Sequence, residues 1–129
     1  MQRNIFDAEH HQFRATAKAY FERVCVPHAV EWETRGFVDR DAWREAGAAG
    51  LLGWQMPTEY GGLDVDDFRL NAIVNEESWL TGSIGMGLGI QNDIVSGYLR
   101  DLTIAVMISP DVKPGSHRSF CSAVVRSRR

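Results

Sequence analysis

One stretch constrains this chain more than any other: Gly50-Leu51-Leu52-Gly53-Trp54-Gln55-Met56-Pro57-Thr58-Glu59-Tyr60-Gly61-Gly62. Pro57 has no backbone donor, and the paired glycines 61 and 62 admit positive φ, so no long helix can pass through it. Leu51, Leu52, Trp54, Met56 and Tyr60 are too apolar for an ordinary surface turn. The stretch therefore reads as an anchor loop pinned against a core, with helical patterns on both sides.

Before the loop, Phe6, Phe13, Ala17, Phe21 and Val24 mark one face of a helix. Asp7 suits its N-cap, because a carboxylate there accepts from free first-turn amides. Pro27 ends or kinks this helix, and a short turn over 28–33 is stopped by Gly36. A second helix starts at Asp39, with Val38 and Trp43 at the positions of a hydrophobic staple. Gly47 and Gly50 bracket its end.

After the loop, a third helix starts at Asp64 or Asp66, where acids suit the positive end of the helix dipole. Phe68, Ala72 and Trp79 share one face, and Leu70, Ile73 and Val74 widen the stripe, which predicts more than one packed side. Thr81-Gly82 breaks it. A fourth helix runs from Ser83 to Leu102 along Ile84, Leu88, Val95, Leu99 and Leu102. Gly85, Gly87 and Gly89 alternate in its first half. Each glycine costs a helix about 1 kcal/mol against alanine, so three of them imply close approach of a helix or a ligand. Thr103–Ile108 reads as a short strand, followed by a basic tail. The expected architecture is all-α: an antiparallel bundle of four main helices over 1–102, a glycine-rich anchor loop, and an irregular or strand-like tail over 103–129.

With 129 residues, 44% of them hydrophobic, there is room for one domain with a real core. Through Leu102 there are nine basic against sixteen acidic residues, and after it five against one. The acidic body repels a phosphate backbone, so no nucleic-acid partner is expected. No apolar run reaches the roughly 20 residues of a membrane span. With no apolar signal core near Met1, the expected compartment is the cytoplasm, where Cys25 and Cys121 are free thiols.

No constellation of nucleophile and base stands out, so no catalytic residue is assigned. Glu76 and Glu77 point about 100° apart on a helix and cannot share a proton. His10, His11, His28 and His117 have no metal-ligand spacing, so no metal is expected. Cys25 lies near a helix C-terminus, where the dipole disfavours a thiolate. Trp43, Trp54 and Trp79 are expected to fill the core. The glycines at 85, 87 and 89 lack the βαβ context of a nucleotide-binding loop.

The anchor loop resembles the "aGl.g...PeeyGG" loop of the acyl-CoA dehydrogenases, in their N-terminal helical domain. Asn75-Glu76-Glu77, Gly82-Ser83 and Gln91-Asn92-Asp93-Ile94-Val95-Ser96-Gly97-Tyr98-Leu99 resemble that domain's last two helices. The similarity runs from Phe6 to Leu102. It implies an FAD-dependent flavoprotein that oxidises acyl-CoA thioesters to 2-enoyl-CoA, a glutamate taking the α-proton while hydride passes to the flavin. It also implies that the helix over 83–102 walls the acyl pocket, with Gln91, Asn92 and Val95 as pocket-wall positions. Complete members add a middle β-domain with most flavin contacts and a C-terminal bundle with the catalytic glutamate, and they assemble as dimers or tetramers. This chain departs from them after Leu102. The expectation is a truncated or split form, inactive alone, that pairs with itself or with the missing domains on another chain. The alternative is a non-catalytic all-α interaction module.

Overall fold

The protein is described by a computed structural model over residues 5–100. The expected strand over 103–108, Cys121 and the basic tail lie outside the described residues. Among the described residues every regular element is helical. The residues up to Tyr98 belong to one compact unit.

Helix α1 (Ala8–Tyr20) starts where Asp7 accepts from the amides of Glu9 and His10. It continues into a π turn (Phe21–Cys25) and a 3₁₀ turn (Val26–His28). Pro27 is the cause: it cannot donate to the carbonyl four residues back, so the ladder widens rather than closing. The Val26 amide reaches Phe21 O instead. Nδ1 of His28 lies 3.2 Å from Val24 O. Pro27 thus kinks the path and does not end it. Helix α2 (Ala29–Arg35) follows and stops at Gly36, φ 81°. Helix α3 (Arg40–Ala48) starts after Asp39, whose carboxylate is engaged by the Trp32 indole N–H (3.0 Å) and Arg35 rather than by the helix amides.

The anchor loop hangs from α3 by Leu51 N–H to Ala46 O, 2.9 Å, and buries Leu51 and Trp54. It closes on itself: the amides of Leu63 and Val65 both reach Trp54 O, and Asp64 N reaches Met56 O. Gly62 is needed there, because a side chain would collide with the Met56 carbonyl. Helix α4 (Phe68–Leu80) begins later than expected. Its N-cap is Asp67, and Asp64 sits in left-handed geometry in the loop, φ 53°.

The fourth helix also begins later than expected. Ile84–Met86 is a 3₁₀ turn, Gly87 turns left-handed at φ 74°, and helix α5 occupies 88–100. Only Gly89 sits in the α-helix, where a Cβ would collide with the Asn75 side chain on α4. The expected close approach is therefore real at Gly89. Gly87 serves a turn.

The core gathers Ala17, Tyr20 and Phe21 with Leu51, Trp54, Ile73, Val74 and Leu88. Phe13 meets Trp54 edge-on at 5.7 Å. The tryptophan expectation divides. Trp54 is buried and Trp43 packs against the core, whereas Trp79 is 70% exposed, as is Phe68. The second packed side of α4 is not covered by the described residues. Trp32, which the sequence reading left aside, is buried.

Candidate functional site

The positions expected to wall a pocket lie on α5, and its backbone explains their placement. After Leu88–Ile90 the helix widens into a π turn over Gln91–Val95. Both the amide and the hydroxyl of Ser96 reach the Gln91 carbonyl, the hydroxyl at 2.9 Å. A serine bonding back onto its own helix in this way loosens the ladder.

Asn92, the second residue of this turn, points inward. It is 2% exposed, accepts from Gly53 N–H (3.3 Å) and donates to Leu51 O (2.9 Å). It bolts α5 to the anchor loop. Gln91 and Val95 are half-buried. The outward face is apolar: Ile90, Ile94 and Tyr98, spaced four residues apart, are 64%, 52% and 68% exposed.

Behind that face a polar chain fixes α5 against α4. Gln55 Nε2 donates to Asn71 Oδ1 (3.1 Å), Asn71 Nδ2 donates to the Asp93 carboxylate, and Asn75 Nδ2 donates to its other oxygen (2.8 Å). Asn71 is 1% exposed, so these bonds satisfy a buried amide that would otherwise cost about 1–3 kcal/mol. The pairings 71 with 93 and 75 with 89 make α4 and α5 antiparallel neighbours.

A second polar seam joins α1 to α4. Arg14 donates to Glu77 and Glu76, each at 2.7 Å. Burial works to lower the Arg14 pKa, and the two carboxylates outweigh it and hold it above its usual value. Adjacent glutamates that cannot share a proton thus share a guanidinium. Nearer the helix starts, His10 is buried between Asp7 (2.6 Å) and Asp67 (3.1 Å). Arg69 is the main cause that holds the Asp67 carboxyl well below the usual carboxylate range. The His10 side-chain bond does the same for Asp7. These are structural ties, and no set of three His, Cys, Asp or Glu among the described residues could hold a metal. Burial pushes the Cys25 thiol up to about 11, so it is inert as a nucleophile.

Sequence reasoning singled out Asn92 but missed the bond it makes. It also missed Arg14 and Asp93, polar residues whose partners are distant in sequence. The Ile90, Ile94, Tyr98 spacing is visible in the sequence, but the Ile84, Leu88, Val95 spacing competes with it there.

A helical domain of this shape, with an anchor loop bolted to its last helix, defines a class. The chain belongs to the acyl-CoA dehydrogenase family: the family's "Acyl-CoA dehydrogenase, N-terminal domain" matches residues 7–103. It is similar to the long-chain specific acyl-CoA dehydrogenase, mitochondrial, of Sus scrofa, 38% identical over 97 residues, 75% of this chain and 22% of that protein. A probable acyl-CoA dehydrogenase of Bacillus subtilis is 33% identical over 85 residues, 65% of this chain and 14% of that one. The crystal structure of acyl-CoA dehydrogenase from Geobacillus kaustophilus superposes with a TM-score of 0.68 at 37% identity, covering 76% of this chain and 26% of that one. The chain thus spans about a fifth of the length of the curated relatives it matches. No helix of the described residues is long and apolar enough to cross a membrane.

Proposed function

We propose that residues 7–100 serve as the N-terminal helical domain of an FAD-dependent enzyme that oxidises acyl-CoA to 2-enoyl-CoA, and that this stretch alone does not turn over. The observation that carries the reading is the exposed stripe Ile90, Ile94, Tyr98 on a helix held rigid from behind by Asn92 and Asp93. An apolar face on a braced helix suits one wall of a cleft for an acyl chain. Gln91 and Val95 border that face as wall positions, while Asn92 sets its depth by gripping the anchor loop.

The described residues do not suit a flavin by themselves. Two phosphates call for convergent N–H or cationic donors. The exposed side of α5 offers isoleucines, a tyrosine and the Asp93 carboxylate, none of them a cationic donor. The flavin, and the carboxylate that takes the α-proton, belong in this reading to segments beyond these residues or to another chain. The contribution of α5 is to exclude water from the acyl chain and orient it. Residence in the cytoplasm stays part of the proposal.

The test is a chimera. Residues 7–100 replace the matching domain of the Geobacillus kaustophilus enzyme, and acyl-CoA oxidation is assayed with an artificial electron acceptor. Activity is expected, and Ile94→Asp in the chimera should raise KM for acyl-CoA. A folded, flavin-loaded chimera without turnover refutes the proposal. Turnover by the 129-residue chain alone refutes its second half.

The same stripe supports a second reading, a self-associating module without catalysis, because exposed apolar faces favour partners. Light scattering after size exclusion separates the two, since a clean monomer counts against self-association.

A further inference from the structure

The three alternating glycines leave one unexplained. Gly87 makes a left-handed turn and Gly89 receives Asn75, but Gly85 has an ordinary φ, and a Cβ built on it meets nothing within 4 Å. Nothing in the fold requires Gly85 to lack a side chain. What its absence does is leave room. Gly85 lines a half-open cavity of about 260 Å³ between the 29–38 segment and the 82–86 turn.

The walls of that cavity state a chemistry. Trp32, Val38 and Met86 give an apolar floor, and Phe37, 59% exposed, stands at the mouth. The floor is fixed. The Trp32 indole is pinned by Asp39 and stacked on His28 at 5.6 Å, and Met86 lies under the Tyr20 hydroxyl. Glu33 is the one charged side chain in the lining, and among the described residues nothing pairs with its carboxylate. The Arg35 guanidinium already lies over the Phe37 ring at 4.3 Å and His28 is stacked on Trp32, so it is the unpaired Glu33 carboxylate that attracts a cation, while the apolar walls take an apolar body. An anion would be repelled.

We propose that this cavity is a binding site for a small organic ammonium ion with an aromatic or branched apolar body, its positive head at Glu33 and its body over Trp32 and Met86. The site is separate from the outward face of α5, so it stands or falls independently of the acyl-wall reading.

The test uses the full 129-residue chain and three probes of similar shape: benzyltrimethylammonium, its neutral isostere neopentylbenzene, and the anion 3-phenylpropanoate. Binding is read from the methyl signal of Met86 and the indole N–H signal of Trp32 by NMR. The cation should shift both signals saturably and at least threefold more tightly than the neutral probe, and the anion should bind more weakly than either. Glu33→Gln, an exposed position that leaves the core intact, should weaken the cation about threefold and leave the neutral probe unchanged. Gly85→Leu should block all three probes while the thermal midpoint stays within a few degrees. The proposal is overturned if the two signals do not move saturably, if the anion binds as well as the cation, or if Glu33→Gln changes nothing. Should Gly85→Leu fail to fold, the Glu33→Gln comparison and the probe series still decide.

Discussion

Helix α4 has two faces with opposite fates. One buries Asn71, Ile73, Val74, Glu77 and Ser78 against α1 and α5. The other leaves Phe68, Trp79 and Leu80 at least 70% exposed. Helix α5 repeats the contrast, with Leu88, Asn92 and Ser96 inward and Ile90, Ile94 and Tyr98 outward. In both helices the inward face carries polar residues as well as apolar ones, and the outward side carries large apolar ones beside Arg69 and Asp93. Polarity therefore does not sort these faces. The inward face is specified by matched partners, because a buried amide or carboxylate is tolerated only where its hydrogen bonds are made. Among the described residues the large apolar side chains of the outward face have no such matching.

The contrast can be broken by mutation. Trp54→Ala, on the covered side, should cost about 3–5 kcal/mol, because a large buried ring leaves a cavity. Urea unfolding reads it, and a loss below 1 kcal/mol would mean that the anchor loop is not part of the core. Arg14→Met leaves the buried Glu77 carboxylate without its donor. Allowing for the partial exposure of Arg14, a loss of about 1–3 kcal/mol is expected. An unchanged midpoint would demote the α1–α4 seam to decoration.

Gly89→Ala sharpens the comparison further. The methyl displaces Asn75 from Asp93, so stability should fall by about 1 kcal/mol despite the helix propensity gained. Gly97→Ala, on the same helix with open space at its Cβ, should instead raise it by several tenths of a kcal/mol. Equal responses at the two sites would contradict the close packing of α4 on α5.

The helix-start ties set a pH dependence. Asp7, Asp39 and Asp67 all have carboxyls held below their ordinary value in the fold. Their stabilising contribution is complete above the unfolded range near pH 4 and is lost as pH falls through the lower folded values. Thermal midpoints should therefore hold from neutrality to about pH 4 and decline below it. Replacing Asp67 by Asn should flatten that decline. The smallest effect belongs to the outward face: Trp79→Ser and Ile94→Ser should each change stability by less than about 0.5 kcal/mol. A larger loss at either site would show that the face is covered after all.

Much of the helical scaffold was legible. Asp7 capping, the stop at Gly36 and the break at Gly82 are local chemistry, fixed within a few residues of chain. The α1 face was legible because periodicity over five turns leaves one solution. The start of α5 was misread because Ser83 to Leu88 looks helical by apolar spacing, while Gly87 ends the run with a left-handed turn that spacing does not register. Trp79 was misplaced because an aromatic on an apolar stripe looks the same whether its cover lies in the chain or outside it. On the candidate site, Asn92 stands out in the sequence as a wall position, but its inward bonds to Gly53 and Leu51 leave no trace there. The π turn around it, where the amide and hydroxyl of Ser96 both reach the Gln91 carbonyl, is equally silent in the sequence.

The sequence by itself determined the helical class, the anchor loop and the family likeness, because each rests on short-range patterns of glycine, proline and apolar period. Only the tertiary structure decided which faces are covered. It paired Arg14 with Glu76 and Glu77, drew Asp93 to Asn71 and Asn75, and left Ile90, Ile94 and Tyr98 in the open. Those choices are made between residues 18 to 63 positions apart, where burial and hydrogen-bond matching act through space and leave no periodic trace along the chain.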